Sequence, residues 1–512
     1  MMILKKIAKL LFNRVFYVIF AMAVQLGWLL TIFLRLAGYS RYMSFILDVI
    51  SILVVLKIVN RKINPSYKLA WTMLILCLPI FGLVLYLVFG RSRIAAYMQD
   101  RFNEMLMKSG NLLQTDPEIH DLLEAEDISA CNQSDYIYHN AGYPIHGNTT
   151  AEYFQVGDDM FPVLVRELEQ AQHYIFIEYF IIHDGVMWRT ILDILERKVQ
   201  EGVDVRLIYD DMGCLTTLPH KYYETMRSKG IKCQVFNPFR PILNIIQNNR
   251  DHRKFCIIDG YVGFTGGVNL ADEYINQKER FGHWKDSAIL LEGDAVWSMT
   301  VMFLTMWDHC CGWEEEFRHF RPEPSAVRPW TGYVQPYTDT PLDRETVGQA
   351  VYLNMISKAR KYIYITTPYL VIDVATNTAL CNAAKAGVDV RIITPHIPDK
   401  RYVFEVTRAH YPPLLEAGVR IYEYTPGFIH AKNFVVDDRF ATVGTVNLDY
   451  RSLFLHFEDG VWLCEAPCIR DIRKDFEDTL SVCQRISLRQ WRHLNPLLQL
   501  YRNILRIFAP LM

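Results

Sequence analysis

DHRKFCIIDG, residues 251–260, sets His252, Lys254 and Asp259 around a short apolar run. Phe255 to Ile258 favour a strand, and Asp259-Gly260 is a hairpin-turn dipeptide, so the stretch reads as a strand closed by a tight turn. Alternate side chains of a strand share a face, which sends His252 and Lys254 to one side. One such spacing is a modest signal, because three fixed positions arise readily by chance. A lone histidine at a strand edge is usually a satisfied structural group.

The spacing occurs twice. HAKNFVVDD, residues 430–438, supplies His430, Lys432 and Asp437 at the same intervals, 178 residues after His252. Each copy continues to a glycine and an asparagine, in Gly266-Gly267-Val268-Asn269 and in Gly444-Thr445-Val446-Asn447. The surroundings repeat as well. HYIFIEYFII (173–182) and KYIYITTPYLVI (361–372) read as strands. VQEGVDVRLIYDD (199–211) and AKAGVDVRIIT (384–394) each run from a helix end through glycine into a strand, as do MRSKGIKCQVF (226–236) and LLEAGVRIYEY (414–424). Strands alternating with helices imply an α/β fold, and the duplication implies two successive α/β domains, over 151–330 and 331–512.

Composition bounds the rest. The chain has 512 residues and a formal net charge of −2, so its total charge carries no nucleic-acid footprint. Its 11 cysteines include no Cys-x-x-Cys pair, and the expectation is reduced thiols, no metal and no cofactor. VFYVIFAMAVQLGWLLTIFL (15–34) has no charge and is long enough to cross a bilayer as a helix, and LAWTMLILCLPIFGLVLYLVF (69–89) is a second such run. Between them, 43–56 is shorter and carries Asp48. Residues 1–95 therefore read as a membrane anchor of two or three transmembrane helices, and 96–150 as a polar linker. At the C-terminus, Leu497, Leu498, Tyr501, Ile504, Leu505 and Phe508 have helical spacing. That amphipathic helix is expected to pack on the second domain, with lipid contact as the alternative.

From about 150 to 480 the chain resembles the phospholipase D superfamily, through the doubled His-x-Lys-x-x-x-x-Asp motif and its Gly/Asn extension. LYLVFGRSR after the apolar runs, TGGVNLADEY, GHWKD and NLDYRSLFLHFE resemble the bacterial cardiolipin synthases more narrowly. The resemblance implies N-terminal transmembrane helices followed by two tandem phospholipase D-like domains related by a pseudo-two-fold axis. It also implies a multi-pass protein of the cell membrane that acts on phosphatidylglycerol in the bilayer and takes no nucleic acid. Two phosphatidylglycerol molecules would yield cardiolipin and glycerol.

By the same resemblance His252 is the nucleophile, forming a phosphohistidine, and His430 the acid–base, though pseudo-symmetry permits the reverse. Lys254, Lys432, Asn269 and Asn447 would hold phosphate oxygens where charge grows in the transition state. Asp259 and Asp437 belong to the motif, yet each lies seven residues from its histidine at the far end of a strand. They either join the reacting groups or fix the turn. Asp286 in HWKD and Glu458 in LHFE are alternative candidates to orient the histidines. His173, His183, His283, His396 and His456 are singletons, expected to be superficial or structural. Competing functions are a hydrolytic phospholipase D, a related nuclease and an inactive membrane scaffold. Two intact motifs argue against the scaffold, and two membrane-length runs argue against the nuclease.

Overall fold

A computed structural model describes residues 23–24, 26–28, 30–31, 41–61, 64–90, 112–239, 248–312, 315–323, 330–343, 345–492 and 495–511. Most of the first apolar run, 15–34, lies outside them. The chain divides into two compact units, one of residues 1–98, 238–249 and 507–512, the other of 99–237 and 250–506.

In the smaller unit, helices Arg41–Val59, Pro65–Cys77 and Pro79–Phe89 pack through Ile58, Ile75, Leu83 and Tyr86, with Trp71 edge-on to Tyr86. The run at 69–89, read from sequence as one span, is broken. Leu78 leaves helical geometry at φ −136°, ψ 74°, because the residue before a proline is driven out of the α region. Gly82 then lets the following helix close on Ile75, where a Cβ would meet the Ile75 Cα at 2.6 Å. Among the described residues no helix is long and apolar enough to cross a membrane. Phe45, Ile46, Leu53 and Leu56 are nevertheless more than half exposed.

The larger unit contains the two α/β halves. In the first sheet the spatial order is Thr149–Phe154, Ala288–Gly293, Val262–Gly266, Lys254–Ile258, Tyr174–Tyr179, Asp204–Asp210, Lys232–Phe236. The second sheet repeats this order with Tyr333–Asp339, His456–Cys464, Phe440–Gly444, Asn433–Val436, Tyr362–Thr366, Asp389–Pro395 and Arg420–Tyr424, and adds Cys483–Arg485 at its edge. Each motif strand thus pairs antiparallel with the first strand of its half and with the strand beyond its own turn. Helix Ala295–Cys311 is apolar all round. Such a helix belongs in a core, and it packs against strands of both sheets with Ala295 to Asp308 buried throughout.

Two segments depart from expectation. The polar stretch before 150 is folded: Asp116 and Asp127 cap helices Pro117–Glu126 and Ile128–Ala141. Those helices hold the second half through Tyr333 Oη to Glu126 (2.9 Å) and Gln335 Nε2 to the Ser134 carbonyl (3.1 Å). In the C-terminal helix Pro496–Phe508 the buried side chain is an arginine. Arg502, 3% exposed, donates to Glu405 at 2.6 Å, while Leu497 is 75% exposed and Leu500, Tyr501 and Ile504 are also open. The predicted stripe is therefore split: Leu497, Tyr501 and Ile504 are open, whereas Leu498, Leu505 and Phe508 are half-buried.

Candidate active site

Two very short parallel pairings bring the halves together. Arg250–Asp251, just before the first motif, pairs with His456 and Phe457; Gly427–Ile429, just before the second, pairs with His283–Lys285. The His252 N–H donates to the Phe457 carbonyl at 2.9 Å and the His430 N–H to the Lys285 carbonyl at 2.7 Å. Each histidine is therefore placed beside the carboxylate that comes next in the opposite half. His252 Nδ1 lies 2.8 and 3.1 Å from the two oxygens of Glu458, and His430 Nδ1 lies 2.5 Å from Asp286 Oδ2. A carboxylate only accepts, so it holds a proton on Nδ1 and leaves Nε2 with a lone pair. Among the described residues neither Nε2 has a hydrogen-bond partner.

Both lysines turn back on their own histidines. Lys254 Nζ donates to the His252 carbonyl and Lys432 Nζ to that of His430; Lys432 Nζ also lies 2.8 Å from His430 Nδ1. The six groups are buried, with the histidines at 7% exposure and Asp286 and Glu458 at 0%. Burial, then Lys254 and Lys432, hold the His252 imidazole well below its ordinary 6.5. Burial and Lys432 bring His430 down to about 4 against the pull of Asp286. Burial brings Lys432 down to about 7, with Lys254 adding to it and Asp286 opposing. For Asp286 burial works against ionisation, but Lys432, His430 and Lys254 overcome it and hold the carboxyl below its usual range. At neutral pH both imidazoles are thus uncharged bases.

Asp259 and Asp437 do not join these groups. The Asp259 carboxylate accepts from the backbone N–H of Gln172, His173 and Tyr174 at 2.7–2.8 Å; Asp437 does the same for Arg360, Lys361 and Tyr362 at 2.6–2.8 Å. Both sit at positive φ in their turns. That corrects their grouping with the reacting side chains: they fasten the motif strand to the start of its neighbour. Asn269 is engaged inside the fold, accepting from the Ile181 N–H at 3.0 Å and donating to Tyr274 Oη at 2.8 Å. Asn447 donates to Ser452 Oγ at 3.1 Å, and its buried Oδ1 has no partner among the described residues.

Sequence reasoning missed the lining. Tyr274, Trp284 and Phe428 stand 5.7–5.8 Å from the His430 ring, centroid to centroid. Phe180 and His456 stand 5.0 and 5.6 Å from the His252 ring. His456, expected to be superficial or structural, lies instead with Nδ1 3.5 Å from Glu458 Oε1, while its Nε2 accepts from Arg451 at 3.3 Å. A signal existed. Trp284 and His456 each precede the orienting carboxylate by two residues, so strand alternation puts them on its face. The donor atoms of His252, His456 and Glu458 also lie within 4.8 Å of one another. Two ammonium groups close enough to depress His252 disfavour a dication there.

Gly267 fixes Asp286. A Cβ on Gly267 would meet Asp286 Oδ1 at 1.9 Å, so any side chain displaces the carboxylate that holds His430. Gly267→Ala is expected to lower turnover on the order of 10²-fold, the usual scale for losing an orienting group. Thermal unfolding should move far less than the rate; a fully active variant contradicts this role.

Comparison with known proteins gives consistent matches. The family model described as "Cardiolipin synthase, PLD-like domain" matches residues 164–292 and again 352–480, and "Phospholipase D-nuclease N-terminal" matches 46–91. The two first matches start 188 residues apart, the interval that separates Gly230 from Gly418. An uncharacterized protein of Streptococcus mutans is 42% identical over 462 residues, 90% of this chain and 99% of that one. A cardiolipin synthase of Geobacillus kaustophilus is 33% identical over 91% of this chain and 92% of its own length, and cardiolipin synthase 2 of Bacillus anthracis 34% over 88% and 87%. The crystal structure of phosphatidylserine synthase from Haemophilus influenzae shares the fold, with TM-score 0.56 and 15% identity over 75% of this chain and 98% of that one.

Proposed function

The chain belongs to the cardiolipin synthase family of phospholipase D-like proteins, and from that premise we propose that it makes cardiolipin from two phosphatidylglycerol molecules through a phosphohistidine. The observation that carries the mechanism is the reciprocal pairing of His252 with Glu458 and His430 with Asp286. In the first step His252 Nε2 attacks phosphorus, the phosphorus–oxygen bond to glycerol breaks, and His430 gives that oxygen a proton. In the second, His430 takes the proton from a hydroxyl of another phosphatidylglycerol. The freed oxygen attacks phosphorus, and the phosphorus–nitrogen bond breaks.

Charge supports this order of events. The two lysines and two carboxylates around the imidazoles sum to zero when ionised, so an incoming phosphodiester brings a net negative charge. That charge favours protonation of one imidazole, which supplies the acid. His252 suits the nucleophile because its Nδ1 faces a carboxylate alone, whereas His430 Nδ1 lies between a carboxylate and the Lys432 ammonium. Lys254 and Lys432 stabilise the phosphoryl oxygens, and Asn447, with its carboxamide only partly engaged, is the better placed of the two asparagines to assist. Asn269 acts by holding Tyr274 beside His430. Burial and the wall of Phe180, Tyr274, Trp284 and Phe428 favour an alcohol over water as acceptor.

The site also sets a pH profile. Nucleophilic attack needs neutral His252, whose pKa lies well below 6.5, so the acid limb of kcat/KM should fall well below pH 6.5. His430, near 4 in the free protein, must gain the proton it delivers, so kcat/KM should decline gently as pH rises above that value; binding an anion also needs charged Lys432, which adds a further alkaline limb through about 7. Lys432→Arg, charged throughout, should remove that alkaline limb from its residual activity. A limb that stays in place would assign it elsewhere.

The N-terminal region serves as a membrane anchor in this reading, supported by the apolar run at 15–34 and by the apolar helices Pro65–Cys77 and Pro79–Phe89, which form a broken pair rather than one span. The exposed apolar side chains of helix Arg41–Val59 support lipid contact, as does the open stripe Leu497, Leu500, Tyr501 and Ile504. Purified protein supplied with phosphatidylglycerol tests the function. Cardiolipin and glycerol in equal amounts are expected; phosphatidic acid as the main product would mean a hydrolase, and no turnover would reject both.

A further inference from the structure

Away from the active site, three side chains of different chemistry converge in the helical hairpin that precedes the first half. His120 lies on Pro117–Glu126, while Cys131 and Asp135 lie on Ile128–Ala141, four residues apart and so on one face. One donor atom from each lies within 4.8 Å of the others. His120 Nε2 is 3.0 Å from Asp135 Oδ1 and 3.4 Å from Cys131 Sγ, and Sγ is 3.9 Å from Asp135 Oδ2.

These separations lie within about 0.4 Å of the edges of a coordination tetrahedron, with Asp135 turning one oxygen to the imidazole and the other to the thiol. Zinc sits about 2.0 Å from nitrogen or oxygen and about 2.3 Å from sulfur, which sets nitrogen–oxygen edges of about 3.3 Å and edges to sulfur of about 3.5 Å. Behind the ring the Asp121 carboxylate lies 3.7 Å from His120 Nδ1, too far for a hydrogen bond, and adds negative charge to the cluster. Glu124 belongs to an overlapping group with His120 and Asp121, also within 4.8 Å. The buried thiol rules against a cation that wants only oxygen, and the imidazole adds to that preference.

We propose that His120, Cys131 and Asp135 bind one zinc-class divalent cation, with the fourth position left to Glu124 or water. As the metal–sulfur bond forms, the Cys131 proton leaves to solvent, so binding should release one proton and tighten with rising pH. The Asp135, Glu124 and Asp121 carboxylates around the thiol and imidazole also favour a dication. The cation would clip together the two helices that hold the second half through Tyr136 Oη to Glu345 at 2.6 Å and Tyr333 Oη to Glu126 at 2.9 Å. Its role is structural, independent of the reaction proposed above.

The test uses full-length protein in detergent, stripped with a chelator and dialysed against zinc or cobalt alone. One equivalent per chain is expected, together with a thiolate-to-cobalt charge-transfer band and a rise in melting temperature on adding zinc. Cys131→Ala, which keeps a small apolar side chain, and His120→Ala should each weaken binding at least 10-fold and remove the band. His252→Ala should keep both, which separates this cluster from the histidines of the active site. Absence of the band in the unsubstituted protein, or equal zinc binding in Cys131→Ala and His120→Ala, would overturn the proposal whatever the variants' stability.

Discussion

Alanine at His252 is expected to remove cardiolipin formation by a factor on the order of 10⁴ or more, equivalent to about 5.5 kcal/mol of transition-state stabilisation. Among the described residues of the site, this imidazole and its counterpart His430 alone combine an unpartnered ring nitrogen with a carboxylate fixing the opposite one. His430→Ala should be comparably inactive, for a different reason. Without it the leaving glycerol oxygen departs unprotonated and the acceptor hydroxyl keeps its proton. Because the two act in one sequence, the double variant should be scarcely worse than either single one. Product formation from labelled phosphatidylglycerol measures all three. Turnover within 10-fold of normal in either single variant would remove that residue from the role given to it.

Glu458→Gln should show the next largest loss, on the order of 10²–10⁴-fold in kcat. An amide carries no charge to balance His252, and its NH₂ group can stabilise the wrong tautomer. The informative feature is where the loss falls. Glu458 belongs to the second half of the chain but bonds the histidine of the first, and Asp286 of the first half bonds that of the second. Glu458→Gln should therefore slow loading of the enzyme, as His252 variants do. Asp286→Asn should impair proton transfer through His430 and alter the pH profile of kcat. Rapid-quench measurement of the first turnover should show slowed loading in both, since His430 also protonates the leaving glycerol, and the pH profile of kcat separates them. Loading untouched by Glu458→Gln would mean that Glu458 does not orient the nucleophile.

Much of this was legible in the sequence because the repeat is long and its signals are local. Gly-Val-Asp-Val-Arg recurs at 202–206 and 387–391 in the same helix-to-strand passage, and the two sheets carry the same strand order. The turn at Asp259-Gly260 was legible for a chemical reason, since both residues take positive φ, at 50° and 71°. The odd seven-residue interval also argued against Asp259 and Asp437 bonding their own histidines, while leaving both among the candidates for the reacting group. What a repeat cannot say is which carboxylate meets which histidine. That choice is made by pairings of two and three residues, Arg250–Asp251 with His456–Phe457 and Gly427–Ile429 with His283–Lys285, too short to leave a periodic pattern.

Other features were hidden by averaging. Hydropathy over 69–89 conceals the break that Pro79 imposes at Leu78. Helical spacing at 497–508 predicts an apolar packing face, whereas one buried ion pair, Arg502 with Glu405, decides which side turns inward. His456 looked like a singleton because its counterpart in the other repeat is a tryptophan, not a histidine.

Isolation of the covalent intermediate tests the central claim most directly. Protein quenched in acid-free conditions during turnover on phosphatidylglycerol, digested and examined by mass spectrometry, should carry a phosphatidyl group on one peptide. The predicted site is His252, in the peptide containing DHRKFCIIDG, with the adduct vanishing in His252→Ala. A stable adduct on His430 instead, or full turnover with no adduct on either histidine, would contradict the account.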